Sequence, residues 1–166
     1  MAYEPLDDHA AALRERFPDV DVRARGLSDR SGSVQFYRVR DEPALSGLHP
    51  RDAAPQELES SEVGVETLDE ALPAGYVPSL IKIDVEGAEE LVLKGAKRTL
   101  AEHRPVVILE HGAGAKFYGT PTARIFTLLR DAGLRIFDID GAGPYDQQSM
   151  EAVIATDRLW TWVAHR

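Results

Sequence analysis

The stretch Ile81-Lys82-Ile83-Asp84-Val85-Glu86-Gly87-Ala88-Glu89 constrains the fold of this chain more than any other. An apolar strand pattern runs straight into two carboxylates, a glycine and the start of a helix. That order places acidic groups at the carboxyl end of a parallel strand, where open α/β sheets bind their ligands. Pro78 precedes the segment, and Leu80 to Val85 reads as a buried parallel strand.

Length and composition narrow the class. The 166 residues fit one domain over 1–166, long enough to bury roughly two-thirds of its unfolded surface. A hydrophobic fraction of 43% with 28% charge is that of a soluble globular protein, not a disordered chain. The formal charge of −9 and the scattered arginines argue against a nucleic-acid partner, which needs clustered cations. With no cysteines there is no disulfide, thiolate metal site or thiol nucleophile. No run of about 18 apolar residues spans a bilayer, and the acids at Glu4, Asp7 and Asp8 do not suit a signal peptide. No membrane association and a cytoplasmic location are expected. Abundant Arg and Ala with few Lys point to a bacterium with a GC-rich genome.

Along the chain, residues 5 to 17 read as a helix with Leu6, Ala10, Leu13 and Phe17 at helical spacing, stopped by Pro18. A strand from Val20 to about Leu27 and a Ser31-Gly32 turn follow, then a strand from Val34 to Val39. Residues 41 to 62, with three prolines and little periodicity, read as a long surface loop. Val63 to Thr67 reads as a short strand. Leu68 to Leu72 is a helical turn capped by Thr67 or Asp69. After the Leu80 strand comes a helix over about 88–102, with Leu91, Leu93, Ala96 and Leu100 inward. Pro105 restarts the chain before the strand Val106 to His111. A glycine-rich loop at 112 to 119 leads into a helix over about 121–132, ended by Gly133. Strands at 135–139 and 159–163 complete the pattern. Alternation of strands with helices of about a dozen residues implies a mostly parallel, three-layer α/β sheet.

In this order the chain resembles the FkbM-family methyltransferases, S-adenosylmethionine-dependent enzymes of the Rossmann-like class I fold. The likeness rests on Tyr3-Glu4-Pro5 before a helix, on Gly26-Leu27-Ser28-Asp29-Arg30-Ser31-Gly32, on Glu66-Thr67-Leu68-Asp69, on Leu80 to Glu89, on Leu93-Lys94-Gly95-Ala96 and on Pro105 to Glu110. The resemblance implies that Tyr3-Glu4 ends the family's second strand. The family's first strand and its glycine-rich cofactor turn would then lie ahead of Met1, and the chain reads as N-terminally truncated. That strand is central in the class I arrangement, between the second and fourth. Without it the sheet must close up, or a second chain must cover the open edge in a homo-oligomer, or the protein is longer.

The resemblance also implies site roles. Glu4 would accept hydrogen bonds from the ribose hydroxyls of S-adenosylmethionine. Ser28 and Asp29 would lie near its adenine, and Asp84 near its methyl end. Asp84 and Glu86 would face the transferred methyl and the acceptor. One can take the acceptor proton and the other can orient the acceptor or balance the sulfonium; which is the base stays open. Glu110 and His111 end the next strand and would open onto the same crevice, His111 being a plausible base because its ordinary pKa lies near neutrality. Each residue also has a structural reading, as helix-terminal acid, turn former or strand boundary. His9, His49, His103 and His165 read as surface. Two acids are too few for a Mg²⁺ site, so metal-independent chemistry is expected. Trp160, Trp162 and Phe137 read as core or sheet-face residues, and Phe117-Tyr118 as loop aromatics near an acceptor pocket.

The expected activity is methyl transfer from S-adenosylmethionine to a hydroxyl of a sugar or secondary metabolite, a small molecule or glycan. The competing expectation is a non-catalytic remnant that binds a partner or self-assembles through its open sheet edge.

Overall fold

The strand signals pair into three hydrogen-bonded sets. A computed structural model of the protein describes residues 1–42, 45–50, 58–112, 118–156 and 158–166. In chain order they form β1 (Ala2–Tyr3), α1 (Asp7–Arg16), β2 (Val22–Arg23), β3 (Gly26–Leu27), β4 (Gly32–Val39), β5 (Leu58–Glu66), α2 (Leu68–Ala71), β6 (Leu80–Ile83), α3 (Glu89–Gly95), α4 (Lys97–His103), β7 (Val106–Glu110), α5 (Thr122–Asp131), β8 (Arg135–Asp138), α6 (Gln147–Ile154) and β9 (Thr161–His165). β1 pairs with β2; β5 lies between β3 and β4; and the remaining strands run β6-β7-β9-β8. Pairing is parallel for β1/β2, β3/β5 and β6/β7. It is antiparallel for the β4/β5 hairpin and for β9, which inserts between β7 and β8.

Register explains the burial of the four-stranded sheet. Ile83 lies opposite Leu109, Leu109 opposite Trp162, Val107 opposite Ala164, and Ala164 opposite Ile136. Directly paired residues share a face, and all six of these side chains are buried. They form one core with Val92 and Leu93 of α3, Leu100 of α4, Ile125 and Leu129 of α5 and Met150 of α6. The alternate residues carry the other face. Lys82, Ile108, Val163 and Phe137 fall in one row across the four strands, each half-buried or exposed.

β6 therefore departs from the buried strand expected there. Its one strand partner among the described residues is β7, and Leu80 is 54% exposed. Among the described residues β1 pairs with β2 and not with β6, so the sheet does not close by direct pairing of β1 with β6.

Other differences have local causes. Part of the expected loop at 41–62 is strand, because β5 begins at Leu58 and its polar residues 59 to 62 lie opposite β4 residues 35 to 38 on an exposed ribbon. Residues 51–57 of that stretch lie outside the described residues. The strand expected from Val20 divides into β2 and β3, with Val20 exposed. The helix expected over 88–102 divides at Ala96, whose backbone (φ −112°, ψ 9°) leaves the helical region. Phe17, which extends the helical spacing of that segment, lies past the end of α1 and is 46% exposed. The last strand lies at 161–165 rather than 159–163. α6 was not anticipated. Asp146 and Ser149 form a capping box at its start, and hydrogen bonds from Ser149 hold the Asp146 carboxyl below its usual range.

The division at Ala96 leaves α4 without a side-chain cap of its own. Asp69 of α2 supplies one from a distance. Its carboxylate accepts the backbone N–H of Arg98 and that of Thr99, both at 2.8 Å. Asp69 thus caps α4, and Thr67 caps α2 by accepting from Glu70 N. Replacing Asp69 by Ala should cost about 1–2 kcal/mol, read as a lower urea midpoint at unchanged slope. An unchanged midpoint would remove the cap from the account of α4.

Candidate functional site

The ends of β1, β3 and β6 converge on a cavity of about 490 Å³, within the size range of small-molecule sites. Tyr3 and Glu4, Gly26 and Leu27, Val63 and Val65, and Ile81 to Glu86 all line it. Glu4, Asp84 and Glu86 are thus brought to one cavity. Ser46 to Leu48 also line it, held by the Leu48 N–H donating to the Tyr118 hydroxyl at 2.8 Å. Phe117 lies outside the described residues.

Each acid is set by its local backbone. Glu4 follows β1 and accepts the Leu6 N–H at 2.9 Å, so one oxygen also fixes the approach to α1. Asp84 lies two residues beyond Lys82 on the same side of the chain, and the pair meets at 2.6 Å. Lys82, expected inside a buried strand, therefore brings a cation to the cavity wall. Glu86 and Gly87 take left-handed backbone, with φ +55° and +110°. For Glu86 this conformation costs about 1–2 kcal/mol, and such strain concentrates at functional turns. Glu89 holds the turn by accepting the Gly87 N–H at 2.8 Å.

The remaining predicted site residues stand elsewhere. The Ser28 N–H donates to Glu66 O at 2.9 Å, and this extension of the β3/β5 pairing tucks buried Ser28 under α3, away from the cavity. Asp29 pairs with Arg30 at 3.6 Å and does not line the cavity. Strand alternation separates Glu110 from His111. Glu110 shares the half-exposed face of Ile108, whereas His111 is buried on the helix side.

His111 sits among groups that sequence reasoning missed. Its Nδ1 is 3.6 Å from Glu89 Oε2, and its Nε2 is 3.2 Å from Thr122 Oγ1. Glu89 and Glu90, in the first turn of α3, are both buried. Burial pushes the Glu90 carboxyl up, but hydrogen bonds from Lys94 and Thr120 and the charges of Lys94 and Arg124 outweigh it, leaving the group below its usual range. The one sequence signal was the density of acids around Gly87, which does not say which of them turn inward. His9, read as surface, is half-buried and lines the cavity, its Nε2 3.2 Å from Arg38. Burial raises the Tyr3 phenol, partly offset by Arg23 nearby.

The lining suits part of a nucleoside sulfonium. Three carboxylates match ribose hydroxyls and a positive sulfur. Among the described residues the glycines that line the cavity are Gly26 and Gly47, and neither belongs to a glycine-rich turn for the amino-acid end. Among the described residues no group of acids and histidines forms a metal cluster, and no helix is long and apolar enough to cross a membrane.

Residues 2–136 match the family described as the methyltransferase FkbM domain. Among solved structures, the chain is similar to the methyltransferase FkbM of Methylobacillus flagellatus KT, with a TM-score of 0.52 and 20% identity. That match covers 99% of this chain and 35% of the other, so the chain spans about a third of the length of the structure it resembles. At this identity the likeness carries the fold, a Rossmann-like α/β arrangement. No curated protein matches the chain.

Proposed function

Since the chain belongs to the FkbM methyltransferase family, we propose that its cavity binds S-adenosylmethionine and serves methyl transfer to a hydroxyl of a sugar or secondary metabolite. The observation that carries this reading is the meeting of Glu4 with Asp84 and Glu86 around one cavity. When bound, the cofactor supplies an electrophilic methyl group on a sulfonium. Glu4 would accept from the ribose hydroxyls through the oxygen that Leu6 does not use. The Asp84–Glu86 turn would place negative charge near the sulfonium and orient the acceptor, with Lys82 fixing Asp84. Tyr3 keeps its phenol protonated and can donate.

Calorimetric titration with S-adenosylmethionine and S-adenosylhomocysteine tests this. One-site binding is expected, weakened roughly 10- to 100-fold by Glu4→Ala, the equivalent of a charged hydrogen bond of about 1.5–3 kcal/mol. A sample folded by circular dichroism that binds neither ligand would refute the reading.

A second reading has its own support. The edge of β6, which no strand covers among the described residues, and the row Lys82, Ile108, Val163 and Phe137 suit a binding module or a self-assembling one. Sedimentation of the same sample separates the two, because self-association without cofactor binding favours the module.

A further inference from the structure

The cavity lining divides by chemistry. Among the described residues its ionic side chains, Glu4, Lys82, Asp84 and Glu86, belong to β1, β6 and the residues just after them. Leu6, Phe36, Leu48 and Val63 give it a second, apolar part. They come from the residue ahead of α1, from β4, from the segment 45–48 and from β5, and they pack as a cluster separate from the main core. Leu6, Phe36 and Val63 each keep 7–8% of their surface exposed, whereas Leu93, Leu109 and Trp162 of the main core keep none. The smaller cluster is therefore not sealed, and the space it borders is the cavity. Its outermost member is set in advance. Gly47 bridges to β4, accepting the Tyr37 N–H at 2.8 Å and donating to Tyr37 O at 3.0 Å. Ser46 Oγ accepts the Val39 N–H at 3.1 Å. With the Tyr118 hydroxyl on its N–H, Leu48 is held at the cavity.

Few polar groups accompany this cluster. Ser46 Oγ is already engaged. His9 Nε2 lies 3.2 Å from the Arg38 guanidinium, which can only donate, so Nε2 accepts and the ring proton sits on Nδ1. An occupant must then be mostly apolar. A sugar presents a hydroxyl on nearly every carbon, and adenine presents an amino group and ring nitrogens. Each such group loses its bonds to water when buried without a partner, whereas an apolar body gains by leaving water. We propose that Leu6, Phe36, Leu48 and Val63 hold the body of the methyl acceptor, and that this acceptor is an apolar ring or chain carrying a hydroxyl rather than a sugar. The proposal rests on the methyl-transfer reading and narrows it to one substrate class. His9 can serve one further oxygen of that body from Nδ1.

Calorimetric titration with 2-naphthol and with methyl glucoside tests the assignment, on ligand-free protein and on protein saturated with S-adenosylhomocysteine. In both forms 2-naphthol is expected to bind at one site, roughly tenfold or more tighter than methyl glucoside. Leu48→Asn, at a half-buried position, should weaken 2-naphthol about tenfold and leave S-adenosylhomocysteine within about twofold. Methyl glucoside binding as tightly as 2-naphthol overturns the proposal, and so does an unchanged 2-naphthol affinity in the folded variant. Equal weakening of S-adenosylhomocysteine also overturns it, because the cluster then holds the cofactor. If Leu48→Asn does not fold, competition in the wild type decides, since displacement of 2-naphthol by S-adenosylhomocysteine assigns the cluster to the cofactor. The two readings fail separately. S-adenosylhomocysteine binding without 2-naphthol binding removes the apolar acceptor alone. 2-Naphthol binding without S-adenosylhomocysteine binding removes methyl transfer, and the acceptor role with it.

Discussion

Trp162→Ala is expected to lower unfolding free energy by about 3–5 kcal/mol, on a total of about 5–15 kcal/mol for a domain of this kind. Trp162 is fully buried at the centre of the four-stranded sheet, opposite Leu109 and Asp138. Its ring meets Tyr145 edge-on at 5.4 Å, and its indole N–H satisfies the His111 carbonyl. Truncation therefore leaves a cavity and an unpaired carbonyl together. Trp162→Phe separates the two losses, since it keeps most of the ring and should cost about 1–3 kcal/mol, the penalty for the carbonyl. Urea unfolding followed by circular dichroism reads both. A loss below about 1 kcal/mol for the Ala variant would mean that the core does not close on this ring.

Gly95→Ala sets two effects of opposite sign against each other. Alanine in a helix is favoured over glycine by about 1 kcal/mol. A Cβ at position 95, however, would lie 2.0 Å from Ser28 O and 3.3 Å from Thr67 Cα. Those atoms are backbone, so no side-chain rotation relieves the overlap. Overpacking of this kind costs about 1–3 kcal/mol and at times more. The upper end applies here because β3 or α3 must shift bodily. The expected net result is destabilisation by about 2 kcal/mol or more. Lys97→Ala, at an exposed position nearby, should stay within about 0.5 kcal/mol. A neutral or stabilising Gly95→Ala would contradict the close approach of α3 to the Ser28 turn.

The same contact shows why part of the site escaped sequence reading. Ser28 and Asp29 carry a turn signature, but what their turn touches depends on helix α3, almost seventy residues later in the chain. Elements with strong local patterns were legible: β7 from its unbroken apolar run, α5 between Pro121 and Gly133, β8 from Ile136 and Phe137. The start of β5 was not, because an exposed ribbon needs no apolar alternation and is held by its ladder with β4. The break at Ala96 was hidden by a continuous helical pattern. At the site, Glu4, Asp84 and Glu86 were recognisable by their place after strands. The burial of Glu89 beside His111 was not legible, because burial of an acid is set by tertiary packing.

The Asp69 cap ties the fates of two helices. Its carboxylate belongs to α2 and completes the backbone of α4, 29 and 30 residues further on. The amide protons of Arg98 and Thr99 can exchange with solvent only when that carboxylate lets go. Their protection therefore reports the integrity of α2 as much as that of α4. A four-residue helix that could not persist alone becomes part of the same opening unit as the core helix it caps.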